Sequence, residues 1–474
     1  MTNNYFFQFS YQEWPMATCF EVMKNQLNSG FGATFIDLTG KSRFQYEFPI
    51  ADRIKILLVR ARLKKSKIFT TLMSEYPTKF RVVSDYPDFG LEPNSALSNL
   101  AVEVAYLELI ASIREAEPSR EKYKDRLRKY EQTFIHTYLG TLAILNKEKV
   151  DSVYLYNGRF LQERAAWEAC ISLQIPVIFY EKFNPSWKNR YFLFQNPTHS
   201  PSYRSAIMLN FGINLRKKDF NYYKVVGSQW FEARKLGISQ DYTKKQKELT
   251  PLNFPKPFVV FFHSSEDELI TTDLKSKTWG NQTSALTSLV EVLEGIKGLN
   301  LVIRAHPNLL YKSKNEIDLW RSLGARFEAK YSWVSFVDSD SSISSYGLLM
   351  QAESVVTVGS TIGVEAAFWG KKSILIGRAF HEIMGITLNP ENRDQLRIMI
   401  EMEFTKDEIT ERRYKALDYA VFHELGGNKF SNVELNIWKN KDQYNFGNLS
   451  LRQPIIVSAL MRLDSIIRKM RKSR

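Results

Sequence analysis

Four apolar runs in the second half of the chain, PFVVFFHSS (257–265), LNLVIRAHP (299–307), SVVTVGS (354–360) and SILIG (373–377), alternate with helical patterns, and three of them stop at a polar group. Such alternation is the signature of parallel strands joined by crossover helices. Helices are expected around 282–296, 316–323, 344–352 and 362–369, with a further strand near 333–337, which makes this half a doubly wound sheet. The first half carries the same rhythm less regularly. A helix-like stretch at 18–28 leads into the strand ATFIDL (33–38), and RIKILLVRARL (53–63) reads equally as strand or helix. A long helical region over 95–147 is interrupted at Pro118. VDSVYLYNG (150–158), a helix over 161–173 and IPVIFYE (175–181) then form a complete strand, helix, strand unit.

At 474 residues the chain is too long for one ordinary core, and two domains are expected. Residues 241–257, DYTKKQKELTPLNFPKP, are polar, contain three prolines and read as an interdomain linker. The division is therefore 1–240, a linker over 241–257, 258–445, and a closing basic amphipathic helix over 446–474. In that last stretch Leu460, Leu463, Ile466, Ile467 and Met470 fall at helical spacing among Arg462, Arg468, Lys469, Arg471 and Lys472. This is either a closing helix with a basic tail or a segment that docks on an anionic membrane face.

Composition narrows the class. Hydrophobic residues make up 44% and charged residues 24%, as in globular proteins. Cys19 and Cys170 cannot build a disulfide framework, and the start MTNNYFFQFSYQEW lacks a basic segment followed by an apolar core. No stretch reads as about 18 consecutive apolar residues, so a cytoplasmic chain is expected, either free or at the inner face of the membrane. The net charge of +14 favours anionic partners. The basic residues lie in scattered groups without an aromatic recognition motif, which argues against nucleic acid.

Open parallel sheets bind ligands outside the carboxyl ends of their strands, where helices begin with unpaired N–H groups. Three such ends carry polar residues in the second half. HSSEDE (263–268) offers Ser264, Ser265 and Glu266; RAHPN (304–308) offers Arg304 and His306; GSTIGVE (359–365) offers Ser360, Thr361 and Glu365. Together they suggest a phosphate cradle, with the capped helix start as the plain alternative for Ser360 and Thr361. Pro307 restricts His306 to extended geometry and stops the strand, so its imidazole could donate a hydrogen bond to a leaving phosphate or protonate it. Arg304 either supports the phosphate or pairs with a carboxylate such as Glu266.

VVFFHSSEDE, IRAHPN and VVTVGSTIGVEAAFWGKKSILIG together resemble the capsule polysaccharide biosynthesis proteins, which include bacterial Kdo-transferring enzymes of the GT-B glycosyltransferase fold. The His-Pro and Ser-Thr pairs are also similar to those of GT-B bacterial sialyltransferases. The resemblance covers about 255–380. It implies an α/β fold with two Rossmann-like domains facing a cleft, acceptor on the first and nucleotide sugar on the second, and it places His306, Ser360 and Thr361 at the phosphate of a nucleotide sugar, often a CMP-sugar. No separate cofactor follows; the donor is itself the substrate.

In those enzymes an acidic pair followed by glycine often stands after a strand of the first domain and supplies the catalytic base. Here Glu181 takes the acidic place, while Lys182 and Phe183 depart from the pattern. Glu181 is thus either the base or a strand-end carboxylate paired to Arg190, and Asp37 is a second candidate base. Asn157 and Arg159 could face the same cleft, Arg159 binding an acidic acceptor or sugar carboxylate or else pairing with Glu163. Asp338 and Asp340 have a metal-binding spacing but read as a loop or helix cap, so no metal site is expected.

The expected protein is a glycosyltransferase that acts on a glycan or lipid-linked acceptor in surface polysaccharide or lipopolysaccharide assembly. The alternatives are a sugar-nucleotide epimerase or polyol-phosphate transferase of the same fold, or a noncatalytic assembly factor.

Overall fold

The computed structural model describes residues 2–9, 13–38, 67–87, 90, 92–182, 190–197, 200–237, 254–272 and 274–433. The chain folds into two compact units. The first takes Met1–Glu108, Arg120–Thr198 and the chain from Gly427 onward; the second takes Leu109–Ser119 and His199–Gly426.

In the first unit β1 (Asn3–Gln8), β2 (Gly32–Asp37), β3 (Phe80–Val83), β4 (Ser152–Tyr156) and β5 (Val177–Lys182) run parallel in the order β3-β2-β1-β4-β5, and β6 (Arg190–Phe194) adds an antiparallel edge beside β5. Helix Glu13–Asn28 spaces Met16, Phe20, Met23 and Leu27 by four, three and four residues, which puts them on one face. That face is buried against Phe6, Phe35, Phe80 and Tyr154, each large side chain contributing about 1.5–3 kcal/mol. The chain leaves β4 through Asn157 and Gly158, both with positive φ, and a Cβ on Gly158 would overlap the Phe179 ring. Only glycine fits there, and the sharp turn brings Arg159 to the sheet edge.

In the second unit β7 (Phe258–Phe262), β8 (Asn300–Arg304), β9 (Val334–Val337), β10 (Ser354–Thr357) and β11 (Lys372–Leu375) are all parallel, in the order β11-β10-β7-β8-β9. Val259, Phe261, Leu301, Ile303 and Val356 join one core cluster, whereas Phe258, Val260, Phe262, Val302 and Val355 join another. Alternate residues therefore feed opposite faces, and both faces are apolar, which is why these strands read as unbroken runs. The order reverses direction between β7 and β10, the place where such sheets bind ligands.

Both units are thus mixed α/β, each with five parallel strands in the same order, to which the first unit adds antiparallel edge strands. Their boundary differs from the linker expected at 241–257. Helices Pro201–Lys218 and Phe220–Lys235 belong to the second unit because they pack on helix Lys406–Leu425, where the Tyr223 hydroxyl donates to the Tyr414 carbonyl (2.7 Å) and the Asp418 carboxylate (2.8 Å). A proline-rich break marks a change of element without revealing which body the flanking helices join. Residues 238–253, most of the expected linker, lie outside the described residues, as do 53–63 and the expected closing helix at 446–474.

The chain returns to the first unit at Gly427. Strand β12 (Asn428–Lys429) pairs antiparallel with β6, and the buried Glu21 carboxylate accepts the backbone N–H groups of Ser431, Asn432 and Val433 at 2.8–2.9 Å.

Helix Ser95–Ile113 corrects another expectation. It has 19 residues and a mean hydropathy of 1.5 in its most apolar window, enough by length and composition to cross a membrane. Glu103 and Glu108 break its apolar run, so it escapes a search for uninterrupted stretches. Here Ala101 and Val104 pack with Phe134, Leu139 and Leu161, and Glu108 accepts the Leu161 N–H at 3.2 Å.

Candidate functional site

The ends of β7 and β8 interlock. Beyond the last register pair, Phe262 with Arg304, the His263 N–H donates to the Arg304 carbonyl (3.0 Å) and the Ala305 N–H to the Val337 carbonyl (2.9 Å). His306 follows in extended conformation, and Pro307 opens a 3₁₀ turn over Pro307–Tyr311. The His306 N–H donates to His263 Nδ1 at 3.2 Å, while His306 Nδ1 accepts the Asn308 N–H at 3.0 Å. With Nδ1 engaged, the neutral His306 ring carries its hydrogen on Nε2.

Burial, then the charges of Lys312 and Arg304, lowers the His306 imidazole to about 4. Near neutrality it is a hydrogen-bond donor, and the expectation that both protonation states are within reach is corrected to that extent.

Arg304 is buried and donates to the carbonyls of Asp338 and Ser341, the latter at 3.4 Å, so it ties the loop after β9 to β8 rather than pairing with Glu266. Desolvation pulls its guanidinium down to about 10. Glu266 instead accepts the Gln282 N–H at 2.9 Å, and the Gln282 side chain brackets Ser264, accepting its N–H (2.7 Å) and donating to its carbonyl (3.1 Å). Glu266 and Ser264 are joined through Gln282, and burial raises the Glu266 carboxyl. The Ser264 hydroxyl is buried with no hydrogen-bond partner. Ser265 begins helix Glu266–Thr271 without capping it through its side chain.

At the end of β10, which adjoins β7 with Thr357 opposite Phe262, Gly359 lies close to the Leu269 side chain and the Arg378 carbonyl, too close for a Cβ. Ser360 Oγ accepts the Ile362 N–H at 3.4 Å, and the exposed Thr361 caps no backbone group through its side chain. Glu365 departs from its expected place in the cradle. Its buried carboxylate accepts Arg234 Nε (3.1 Å) and Nη2 (2.9 Å) on one oxygen and the Tyr346 hydroxyl on the other. It fastens helix Ile362–Phe368 to helix Phe220–Lys235.

Several neighbours escaped the sequence reading. Lys312, almost wholly buried, pairs with Asp267 at 2.5 Å, and the His263 ring packs on Trp320 with centroids 4.0 Å apart. Lys312 follows His306 by six residues and Asp267 follows His263 by four, so the pairing of β7 with β8 was the signal available. Asp338 and Asp340 are both held by Arg321, at 2.6 and 3.1 Å.

In the first unit Glu181 accepts the Tyr156 hydroxyl (2.7 Å), the Asn157 amide and the Lys182 N–H (3.2 Å). The structure brings Glu181 and Asn157 together as expected, and Glu181 makes no pair with Arg190, which donates to the Gly427 carbonyl. Asp37 closes β2, three strands from β5, roughly 14 Å away at the usual strand spacing, so the two candidate bases are not at one place. Arg159 lies over the Phe160 ring at 5.1 Å, its Nε buried without a partner, and makes no pair with Glu163. Glu163 is buried, and desolvation, then nearby Glu108, raises its carboxyl to about 8.

Residues 255–420 match the family of capsule polysaccharide biosynthesis proteins. No curated protein matches the chain. Among similar solved structures, the beta Kdo 2,4 transferase of Thermosulfurimonas dismutans KpsC is 15% identical, with 58% of this chain and 80% of that one covered at a TM-score of 0.37. The beta Kdo 2,7 transferase of the same protein is 15% identical over 58% and 79%, TM-score 0.32. A UDP-GlcNAc 2-epimerase from Neisseria meningitidis, bound to UDP-GlcNAc, is 12% identical over 90% and 97%, TM-score 0.28. Likenesses this distant carry no activity from one chain to another.

Proposed function

We propose that the protein is a GT-B glycosyltransferase of capsule or related surface polysaccharide assembly. It moves a sugar from a nucleotide sugar, foremost a CMP-sugar, to a glycan or lipid-linked acceptor. The observation that carries this reading is His306: it lies inside the segment that matches the capsule family, at the end of a parallel strand, with Nδ1 committed to Asn308 so that the neutral ring offers Nε2–H. A fixed neutral donor suits an oxyanion that gains charge as a bond breaks.

The chemistry is a single exchange. The bond from the anomeric carbon to the phosphate oxygen breaks, and the nucleotide leaves with the electron pair; His306, Ser360 and Thr361 donate to it. An acceptor hydroxyl forms the new bond and gives its proton to a carboxylate, Glu181 in this reading, with Asn157 and Arg159 binding the acceptor. The basic sequence of 460–474 would hold the enzyme at an anionic membrane face, where lipid-linked acceptors reside.

Thermal melting of the full chain with CMP, UDP and CMP-sugars tests the donor. A ligand at a hundred times its Kd stabilises by about 2.7 kcal/mol. No shift with any nucleotide would sink the reading. Conversion of the donor sugar without an acceptor would replace transfer by epimerisation, and binding without any turnover would leave an assembly factor.

A further inference from the structure

We propose that His263 is a positioning residue for His306: its Nδ1 holds the His306 backbone N–H and so fixes where the donor-site imidazole stands. The functional part of this inference rests on the donor-site reading above. The geometry begins in the backbone. The His263 N–H donates to the Arg304 carbonyl at 3.0 Å, extending the β7–β8 ladder by one step and delivering the His263 side chain to the end of the neighbouring strand. There Nδ1 accepts the His306 N–H at 3.2 Å, and the ring rests on the buried Trp320 at 4.0 Å between centroids.

Only a neutral ring can do this, since an imidazolium has no lone pair left on Nδ1. The surroundings enforce neutrality: burial first, then His306 and Lys312, hold the His263 imidazole well below its usual range. His306 repeats the device one step on, its own Nδ1 taking the Asn308 N–H. Two imidazoles thus act in series, the first anchoring the backbone of the second and the second anchoring the Pro307–Tyr311 turn. Both neutral rings carry hydrogen on Nε2.

A residue that merely fills the core beside Trp320 would be replaced best by phenylalanine. A residue that works through Nδ1 would be replaced best by asparagine, whose Oδ1 lies near the position of Nδ1 and accepts the same N–H. Full-length His263→Asn and His263→Phe are therefore compared for the exchange rate of the His306 amide, for CMP affinity by calorimetry and for Tm.

The expected result is that His263→Phe stays folded but exchanges the His306 amide about tenfold faster and binds CMP about tenfold more weakly, the effect of losing one hydrogen bond. His263→Asn should remain close to the parent in both. A folded phenylalanine variant unchanged in both measurements, or an asparagine variant that fails as badly as phenylalanine, overturns the proposal. If the phenylalanine variant does not fold, His263→Gln, whose carboxamide reaches one atom too far, takes its place as the variant expected to fail. If the parent binds no nucleotide, the donor-site reading falls, whereas amide exchange still decides whether His263 positions His306.

Discussion

The strand ends of the second unit and those of the first stand on sheets of the same order, yet they fix their polar groups by different means. At the ends of β7 and β8 in the second unit the partners are backbone groups: His263 holds the His306 N–H, His306 holds the Asn308 N–H, and Arg304 donates to two carbonyls. In the first, Glu181 is held mainly by side chains, the Tyr156 hydroxyl and the Asn157 amide. Backbone anchors set a neutral ring as a rigid donor, which suits oxyanion binding. Side-chain anchors leave a carboxylate whose neighbours can be exchanged one at a time. The ends of β7 and β8 should therefore tolerate few changes of shape, whereas the first unit should be tunable at Tyr156 and Asn157.

The largest expected effect tests whether Glu365 belongs to the rigid frame. Arg234→Ala removes the cation from a buried carboxylate and should cost about 3–5 kcal/mol in urea denaturation, the range for breaking one half of a buried pair. CMP affinity per folded molecule should hold. A variant that is stable but binds CMP poorly would return Glu365 to the ligand site.

Next in size is chemistry. His306→Ala should lower turnover by about 10²-fold or more, with a stability loss of about 1 kcal/mol for the lost cap of the 3₁₀ turn. In the first unit Glu181→Gln should lower kcat by about 10²-fold, while Asp37→Asn, three strands away, should leave it within about threefold. Equal losses at Glu181 and Asp37 would mean that neither is the base. A His306→Ala enzyme with full activity would make that histidine structural.

A smaller contrast should appear in stability against pH. Glu163 is raised to about 8, so its contribution is full below about 4.3, the unfolded value, and is lost as pH rises through about 8. His306 and the buried His381, which also lies in the second unit, are lowered to about 4, so theirs are full above about 6.5 and lost as pH falls toward 4. The surroundings of Glu163 in the first unit should therefore weaken toward alkali and those of His306 and His381 in the second toward acid, each group contributing a slope of up to about 1.4 kcal/mol per pH unit within its window. Segment-resolved hydrogen exchange at about pH 5 and about pH 8 checks this, and Glu163→Gln should flatten the alkaline side alone.

The second sheet was legible because both its faces are covered, which writes its strands as unbroken apolar runs, and because Pro307 marks where one of them stops. His306, Ser264 and Glu266 were legible as strand-end residues. The partner of Glu365 was not, since Arg234 lies 131 positions away and nothing local in the sequence links the two helices. Nor was the His263–His306 bond, which depends on how far the β7–β8 ladder runs past its last apolar residue. The unit boundary was misplaced for a related reason. Pro251, Pro255 and Pro257 signal a break in the chain, but the hydrogen bonds of the Tyr223 hydroxyl to Tyr414 and Asp418 on helix Lys406–Leu425 show which unit the preceding helices join.

The smallest expected effect concerns Asp338 and Asp340, whose spacing would suit a divalent ion. Asp338 Oδ1 accepts the Ser339 N–H at 2.6 Å and the Ser339 hydroxyl at 2.9 Å, and its Oδ2 takes Arg321 Nε at 2.6 Å. A metal ion would have to displace Arg321, which also reaches Asp340 at 3.1 Å. The Asp340 side chain is 59% exposed, so the Arg321 contact is a solvent-screened pair and Asp340→Ala should cost about 0.2–1 kcal/mol. If these aspartates are a loop clasp of the rigid unit, CMP affinity in Asp340→Ala should stay within about twofold of the parent with magnesium and with chelator alike. An affinity in the parent that rises with magnesium, and a rise that Asp340→Ala abolishes, would instead place a metal at the end of β9 and end the view that the phosphate is met by imidazole and hydroxyl groups alone.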